Sequence, residues 1–176
     1  MFQKLKHKFN PEPFDIIGSR IRFGEQVNDQ FKGIEYFNIN HSNTNSLFTV
    51  VPNQHRENFC LTLMKINTII PPHTDTGILV TINFYIETDN CITQLYKFKG
   101  EPKKYQIENQ KEGFIFNEND LEKTKSFVAE QYDAWVLDVS KPHSVSGGDN
   151  RMAFSLATNT YTYDDVCNML YETGNL

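Results

Sequence analysis

Short apolar runs, each closed by a cluster of turn residues, recur along most of the chain, and this pattern leaves little room for anything but a β protein. The expected strands are Ile34–Ile39, Leu47–Val51, Phe59–Ile70, Ile78–Ile86, Thr93–Phe98, Tyr105–Ile107, Ser126–Glu130, Ala134–Val139 and Arg151–Thr158. Between them stand Val51-Pro52-Asn53, Pro71-Pro72, Thr88-Asp89-Asn90, Lys99-Gly100, Lys141-Pro142 and Gly147-Gly148-Asp149-Asn150. Proline presets φ, glycine opens positive φ, and Asn or Asp bonds its own backbone, so each cluster turns the chain. The 14 Phe and 8 Tyr suit a pleated, half-buried surface. Eight or so strands at this spacing predict a sandwich or jelly roll. A length of 176 residues predicts a single domain, 1–176.

Charge and targeting signals narrow the function. A net charge of −5 disfavours a broad nucleic-acid-binding face, and no basic stripe interleaved with aromatics is present. No apolar run reaches the ~18 residues of a membrane helix, so no membrane partner is expected. Met1–Phe9 is basic without an apolar stretch behind it and reads as a solvated end or surface helix, not a signal peptide. Cys60, Cys91 and Cys167 form no CxxC pair; they read as reduced, mostly buried thiols of a cytoplasmic protein. Thr162-Tyr163-Asp164-Asp165 has the form of a helix start, Val166, Met169 and Leu170 follow at helical spacing, and Gly174 supplies the stop. That predicts a helix over about residues 162–173, with a weaker one near Gly24–Phe31, both packed outside a sheet.

Of the five histidines, two begin a His-x-acid pair. His55-Arg56-Glu57 lies in a polar run with turn residues and reads as an exposed loop, a poor place to preorganise a metal. His73-Thr74-Asp75 follows an apolar strand and Pro71-Pro72. In extended backbone, positions i and i+2 share a face, so the imidazole and carboxylate can meet at one ion. His143, behind the strand Ala134–Val139, is the natural third ligand. Two histidines and one carboxylate on one face of a metal form the facial triad of non-haem Fe(II) oxygenases. Arg151 opens an apolar strand eight residues after His143, across Gly147-Gly148, and a hairpin-like return there would bring its guanidinium near the metal.

The ordered set His73-x-Asp75, His143 and Arg151 resembles the 2-oxoglutarate/Fe(II)-dependent dioxygenases, over roughly Phe59 to Asn159. The stretches Ile70–Asp75 and Trp135–Val145 look especially like the prolyl-hydroxylase-like and aspartyl/asparaginyl-hydroxylase-like branches. The resemblance implies a mainly β, double-stranded β-helix core (a cupin-like jelly roll, about residues 59–159) with a few flanking helices. It implies Fe(II) on His73, Asp75 and His143, with 2-oxoglutarate as cosubstrate and dioxygen as oxidant. Arg151 would pair the far carboxylate through its planar fork. It also implies hydroxylation of an aliphatic C–H with release of succinate and CO2. Asp75 favours hydroxylation over halogenation, because halogenating relatives carry a small residue there. Relatives often place Ser or Thr two residues after the Arg; here that position is Ala153, and Ser155 follows on the same strand face. Strand parity adds Asn83 and Tyr85 as candidate cosubstrate contacts, and Tyr96 on the next strand is similar.

The two branches imply an amino-acid or peptidyl side chain as substrate. The polar stretch 100–125 is a candidate lid. A cupin-type isomerase or hydrolase would share the fold but usually use more histidines. A binding module without a redox metal is the third reading. Oligomeric state is not legible.

Overall fold

The computed structural model describes residues 1–10, 33–39, 44–75, 77–101, 105–106 and 114–176. Twelve strands form among them: β1 (Phe2–Lys4), β2 (Ile34–Phe37), β3 (Cys60–Ile66), β4 (Ile70–Thr74), β5 (Val80–Glu87), β6 (Ile92–Phe98), β7 (Tyr105–Gln106), β8 (Phe114–Ile115), β9 (Leu121–Val128), β10 (Ala134–Asp138), β11 (His143–Ser146) and β12 (Arg151–Thr158). One α-helix is present among the described residues, α1 (Tyr163–Glu172).

The strands form two six-stranded antiparallel sheets. The first runs β1-β10-β5-β12-β3-β2 and the second β7-β8-β4-β11-β6-β9. Eight of them form a nested set: β3 pairs with β12, β4 with β11, β5 with β10 and β6 with β9. First meets last, second meets seventh, and so inward, which is a long ribbon rolled up on itself. This pairing makes the molecule a jelly roll. β1 and β2 extend the two edges of the first sheet, and β7 and β8 extend the second.

The period-two pattern separates two cores. Along β12, Phe154 and Leu156 face outward and join Ile82, Phe84, Val136 and Leu63 in a cluster sealed by Val166, Met169 and Leu170 of α1. Ala153, of the opposite parity, faces the lumen between the sheets with Tyr85, Leu137, Val145 and Met64. A reciprocal capping box starts α1: Thr162 accepts from the Asp165 N–H, and the Asp165 carboxylate accepts from the Thr162 N–H. The helix thus covers the outside of a sheet, as its apolar spacing predicts.

Several expectations need correction. Leu47–Val51 is not a strand; Asn45–Val50 forms a 3-10 helix, and so does Asn53–Asn58, which carries His55 and Glu57. A short apolar run does not by itself distinguish the two states. Phe59–Ile70 is two strands, because the chain leaves the first sheet at Ile66 and enters the second at Ile70. The basic N-terminus is a strand on β10, tied down by the Lys4–Asp133 ion pair at 2.8 Å. Residues 121–125 of the candidate lid belong to β9, paired along β6. Residues 102–104 and 107–113 of it, and the expected helix near Gly24–Phe31, lie outside the described residues. Cys91 and Cys167 are buried, Cys60 is exposed, and all three are free thiols. Among the described residues, no helix is long and apolar enough to cross a membrane.

Candidate metal site

His73 and His143 are directly opposed on the β4–β11 ladder, so their side chains leave the same face. That face is the lumen. On the β11–β6 ladder, His143 pairs with Leu95 and Val145 with Thr93, and Thr93 meets Arg151 of the other sheet. A register shift between His143 and Val145 bends β11 beside the site, a usual place for a bulge that re-aims a side chain. Pro71 and Pro72 lack N–H groups, yet both carbonyls are used: Pro71 accepts from His73 and Pro72 from the Phe116 N–H. Asp75 lies just past β4, held by a bond from its N–H to the Val139 carbonyl.

The ring nitrogens have assigned roles. His73 Nδ1–H donates to the Pro71 carbonyl at 2.8 Å, and His143 Nδ1–H donates to the Lys141 carbonyl at 3.0 Å. A carbonyl only accepts, so each Nδ1 carries the proton and each Nε2 keeps its lone pair. Asp75 Oδ1 lies 3.3 Å from His73 Nε2 and 3.4 Å from His143 Nε2, and the three candidate ligand atoms lie within 4.8 Å of one another. Two ligands about 2.1 Å from one ion sit about 3.0–3.4 Å apart, so the two separations from Asp75 fit. Both histidines are buried, and the Asp75 side chain is 24% exposed.

Electrostatics favour a cation at this point. Burial and the neighbouring His143 ring hold the His73 pKa below its ordinary value, so the imidazole stays neutral. Two lone pairs and a carboxylate oxygen converge, and neither ring turns an N–H between them. A metal ion relieves that repulsion, and the backbone carbonyls behind both histidines orient them as ligands. His73, Asp75 and His143 are thus a buried group able to hold a metal ion.

Arg151 is 3% exposed. Its Nη1 donates to Thr93 Oγ1 at 2.9 Å and its Nη2 to the Tyr85 hydroxyl at 2.6 Å, bridging the two sheets. Nε has no partner, and among the described residues no carboxylate lies within ion-pair distance of the guanidinium. The approach to Arg151 differs from the expected hairpin, since β11 and β12 lie in different sheets. Gly147 and Gly148, at φ +72° and +66°, make that crossing, and Asp89 accepts from the Asp149 N–H to brace it.

The other expected cosubstrate contacts divide. Tyr85 meets Arg151 directly. Asn83 and Ser155 are cross-strand partners, both buried on the lumen face, and Asn83 Oδ1 is unpartnered. Tyr96 does not join them. Its hydroxyl lies 2.8 Å from Ser144 Oγ on the outer face of the second sheet, and its ring packs with Phe116 and Leu121. The parity of β6 places Thr93, not Tyr96, in the lumen. Two lumen residues escaped sequence reasoning. Thr93 holds Arg151, and Tyr36 on β2 is half-buried among the lumen residues. Burial, and then the Asp75 charge, push the Tyr36 hydroxyl above the usual tyrosine range, while Arg151 opposes the shift. Its cross-strand partner Met64 pairs with Ala153, a link visible only once the sheet order is known.

No family model matches the chain, and no curated protein matches it. Among solved structures, vicilin from Corylus avellana (hazelnut) is similar at 10% identity with a TM-score of 0.42, covering 79% of this chain and 31% of vicilin. The chain therefore spans about a third of that protein's length, and so distant a likeness has no bearing on the site.

Proposed function

We propose that the protein is a 2-oxoglutarate- and Fe(II)-dependent dioxygenase that hydroxylates an aliphatic C–H of an amino-acid or peptidyl side chain. The observation that carries this reading is Arg151: a buried cation with no carboxylate among the described residues at ion-pair distance, in the same lumen as a two-histidine, one-carboxylate group. A buried charge is costly unless paired, so the site is built for an anion that arrives from outside. The spacing suits a short dicarboxylate. Thr93, which holds Arg151, pairs with Val145, two residues along β11 from His143, an offset of about 7 Å.

Fe(II), with 2-oxoglutarate and dioxygen, would supply the oxidant for the C–H bond, releasing succinate and CO2. The chain's own part is positional. His73, Asp75 and His143 would hold the ion, which with only three protein ligands would keep positions for exchangeable ligands. Arg151 takes the far carboxylate, with Thr93 and Tyr85 fixing the plane of its fork. Ala153, Leu137 and Val145 keep the lumen apolar around the reacting centre. A cupin-type isomerase or hydrolase and a binding module would share the fold, but neither calls for a two-histidine, one-carboxylate group together with a buried Arg151.

The test is anaerobic addition of Fe(II) and 2-oxoglutarate. A weak visible charge-transfer band is expected, together with succinate formation once air and a hydroxylatable amino acid or peptide are admitted. His73→Ala and His143→Ala should each lose the band and the succinate. Succinate formation by purified His73→Ala equal to that of the native chain would refute the assignment.

A further inference from the structure

The edge strand β2 brings one more hydroxyl to the metal side of the lumen. β2 lies beside β3, and the chain crosses from β3 directly to β4, so β2 and the strand of His73 share one side of the roll. The Gly33 carbonyl, just ahead of β2, accepts from the Asn67 N–H in that crossing. Tyr36 stands opposite Met64, Met64 opposite Ala153, and Ala153 opposite Tyr85. Neighbouring strands lie about 4.8 Å apart, so the row from Tyr36 to Tyr85 spans roughly 14 Å of the first sheet. Tyr85, at one end, holds the Arg151 guanidinium. Tyr36, at the other, packs against the cluster that contains Ile70 of β4, and so does Ile115, the partner of His73. Burial and then the Asp75 carboxylate raise the pKa of its hydroxyl, and the Arg151 guanidinium opposes them more weakly. The oxygen therefore keeps its proton and serves as a donor within electrostatic reach of both charges.

A 2-oxo acid that chelates an ion through its keto oxygen and one carboxylate oxygen keeps a second carboxylate oxygen off the metal. Beside Tyr36 the lumen is apolar, with Met64, Ile70 and Ile115, so an oxygen placed there loses water and needs a donor. The Nδ1–H groups of both histidines are turned to backbone carbonyls. Arg151, Thr93 and Tyr85 are bonded together where the far carboxylate belongs. Resting on the oxygenase reading, we infer that Tyr36 is a cosubstrate-binding residue whose hydroxyl donates to the carboxylate at the chelating end of the 2-oxo acid. Two tyrosines at opposite ends of one row then divide the anion between them. Tyr85 serves the far carboxylate through Arg151, and Tyr36 serves the metal end, which fixes the direction in which the dicarboxylate lies.

The test compares the native chain with Tyr36→Phe, which removes the hydroxyl and keeps the ring. With Mn(II) bound and air excluded, calorimetry should show 2-oxoglutarate binding the variant roughly tenfold to a hundredfold more weakly, the scale of one hydrogen bond to a charged group. Mn(II) alone should bind both proteins equally, since Tyr36 is not a metal ligand. With Fe(II) and saturating 2-oxoglutarate, the anaerobic charge-transfer band should lie at shorter wavelength in the variant. A donor on the chelating end lowers the orbital that accepts the electron, and a tyrosine that only packs would leave the band in place. Three results would each overturn the inference: equal 2-oxoglutarate affinity, an unmoved band, or a loss of Mn(II) affinity that matches the loss of 2-oxoglutarate. Native protein that binds 2-oxoglutarate no more tightly than the variant, yet binds it, removes the role of Tyr36 alone. Native protein that binds none removes the oxygenase reading and the role together.

Discussion

Arg151→Met removes the lumen cation while roughly preserving side-chain volume, and two opposed consequences can be worked from the site. Arg carries five N–H donors. Two are committed to Thr93 and Tyr85, and Nε–H is buried without a partner. A dicarboxylate that takes two of the free donors gains two charge-assisted bonds of about 1.5–3 kcal/mol each, so the variant should bind 2-oxoglutarate between roughly a hundredfold and ten-thousandfold more weakly. In the ligand-free protein the sign differs. The native cation is desolvated without a counter-charge, so its removal should shift stability by no more than about 1 kcal/mol, well below the 3–5 kcal/mol cost of breaking a buried ion pair. Thermal melting with Mn(II) as a redox-quiet metal reads both effects. Ligand at a hundred times Kd stabilises by about 2.7 kcal/mol. For a chain of this size that is a rise in Tm of about 5–11 °C. The native protein should show the rise and Arg151→Met should not. A variant that shifts as much as the native chain, or one that loses more than about 3 kcal/mol without ligand, would refute the view of Arg151 as an anion site awaiting its partner.

Two further predictions concern the frame. Gly148→Ala places a Cβ against the Asp89 carbonyl oxygen at a positive φ, whereas the same change at Gly147 meets only ordinary contact with the Asn90 carbonyl at 3.6 Å. Gly148→Ala should cost about 2–3 kcal/mol in urea unfolding and Gly147→Ala about 1 kcal/mol, and equal midpoints would show that the crossing is not sterically fixed. Burial pushes the Asp133 carboxyl up, but the bonds from Lys4 and the Glu130 N–H outweigh it and bring its pKa below the usual value. A lowered folded value means that the contribution is complete above the unfolded value of about 3.9 and is lost as pH falls through the folded one. The midpoint gap between native and Asp133→Asn proteins should therefore be widest near neutral pH and shrink in acid; a gap constant with pH would remove Asp133 as its source.

The sequence was most legible where local chemistry and tertiary placement coincide. Arg151–Thr158 and the helix after Thr162 appear where alternation and capping put them. The His73-x-Asp75 pair and His143 come together because a strand sends alternate side chains to one face. What was not legible depends on which strand neighbours which. Leu47 is apolar in a 3-10 helix for the same reason that it would be apolar in a strand: it packs against the outer core. Tyr96 and Thr93 lie three residues apart on one strand, and nothing local says which faces the lumen; the β6–β11 register decides it for Thr93. Tyr36 reaches the lumen from an edge strand remote in sequence, and the sheet order alone puts it there.

The nested pairing of the roll has a kinetic consequence. His73 and His143 lie about seventy residues apart on the second and seventh core strands, so the metal group cannot form until nearly the whole ribbon has closed. Such a topology has high contact order, and folding is slow when loop entropy must be spent before distant contacts reward it. An ion bound at His73, Asp75 and His143 would act as a clip on the last large loop, slowing unfolding far more than it speeds folding. Occupancy of the site would then set the lifetime of the folded protein in the cell, and apo chains would be removed first by proteolysis of the opened state.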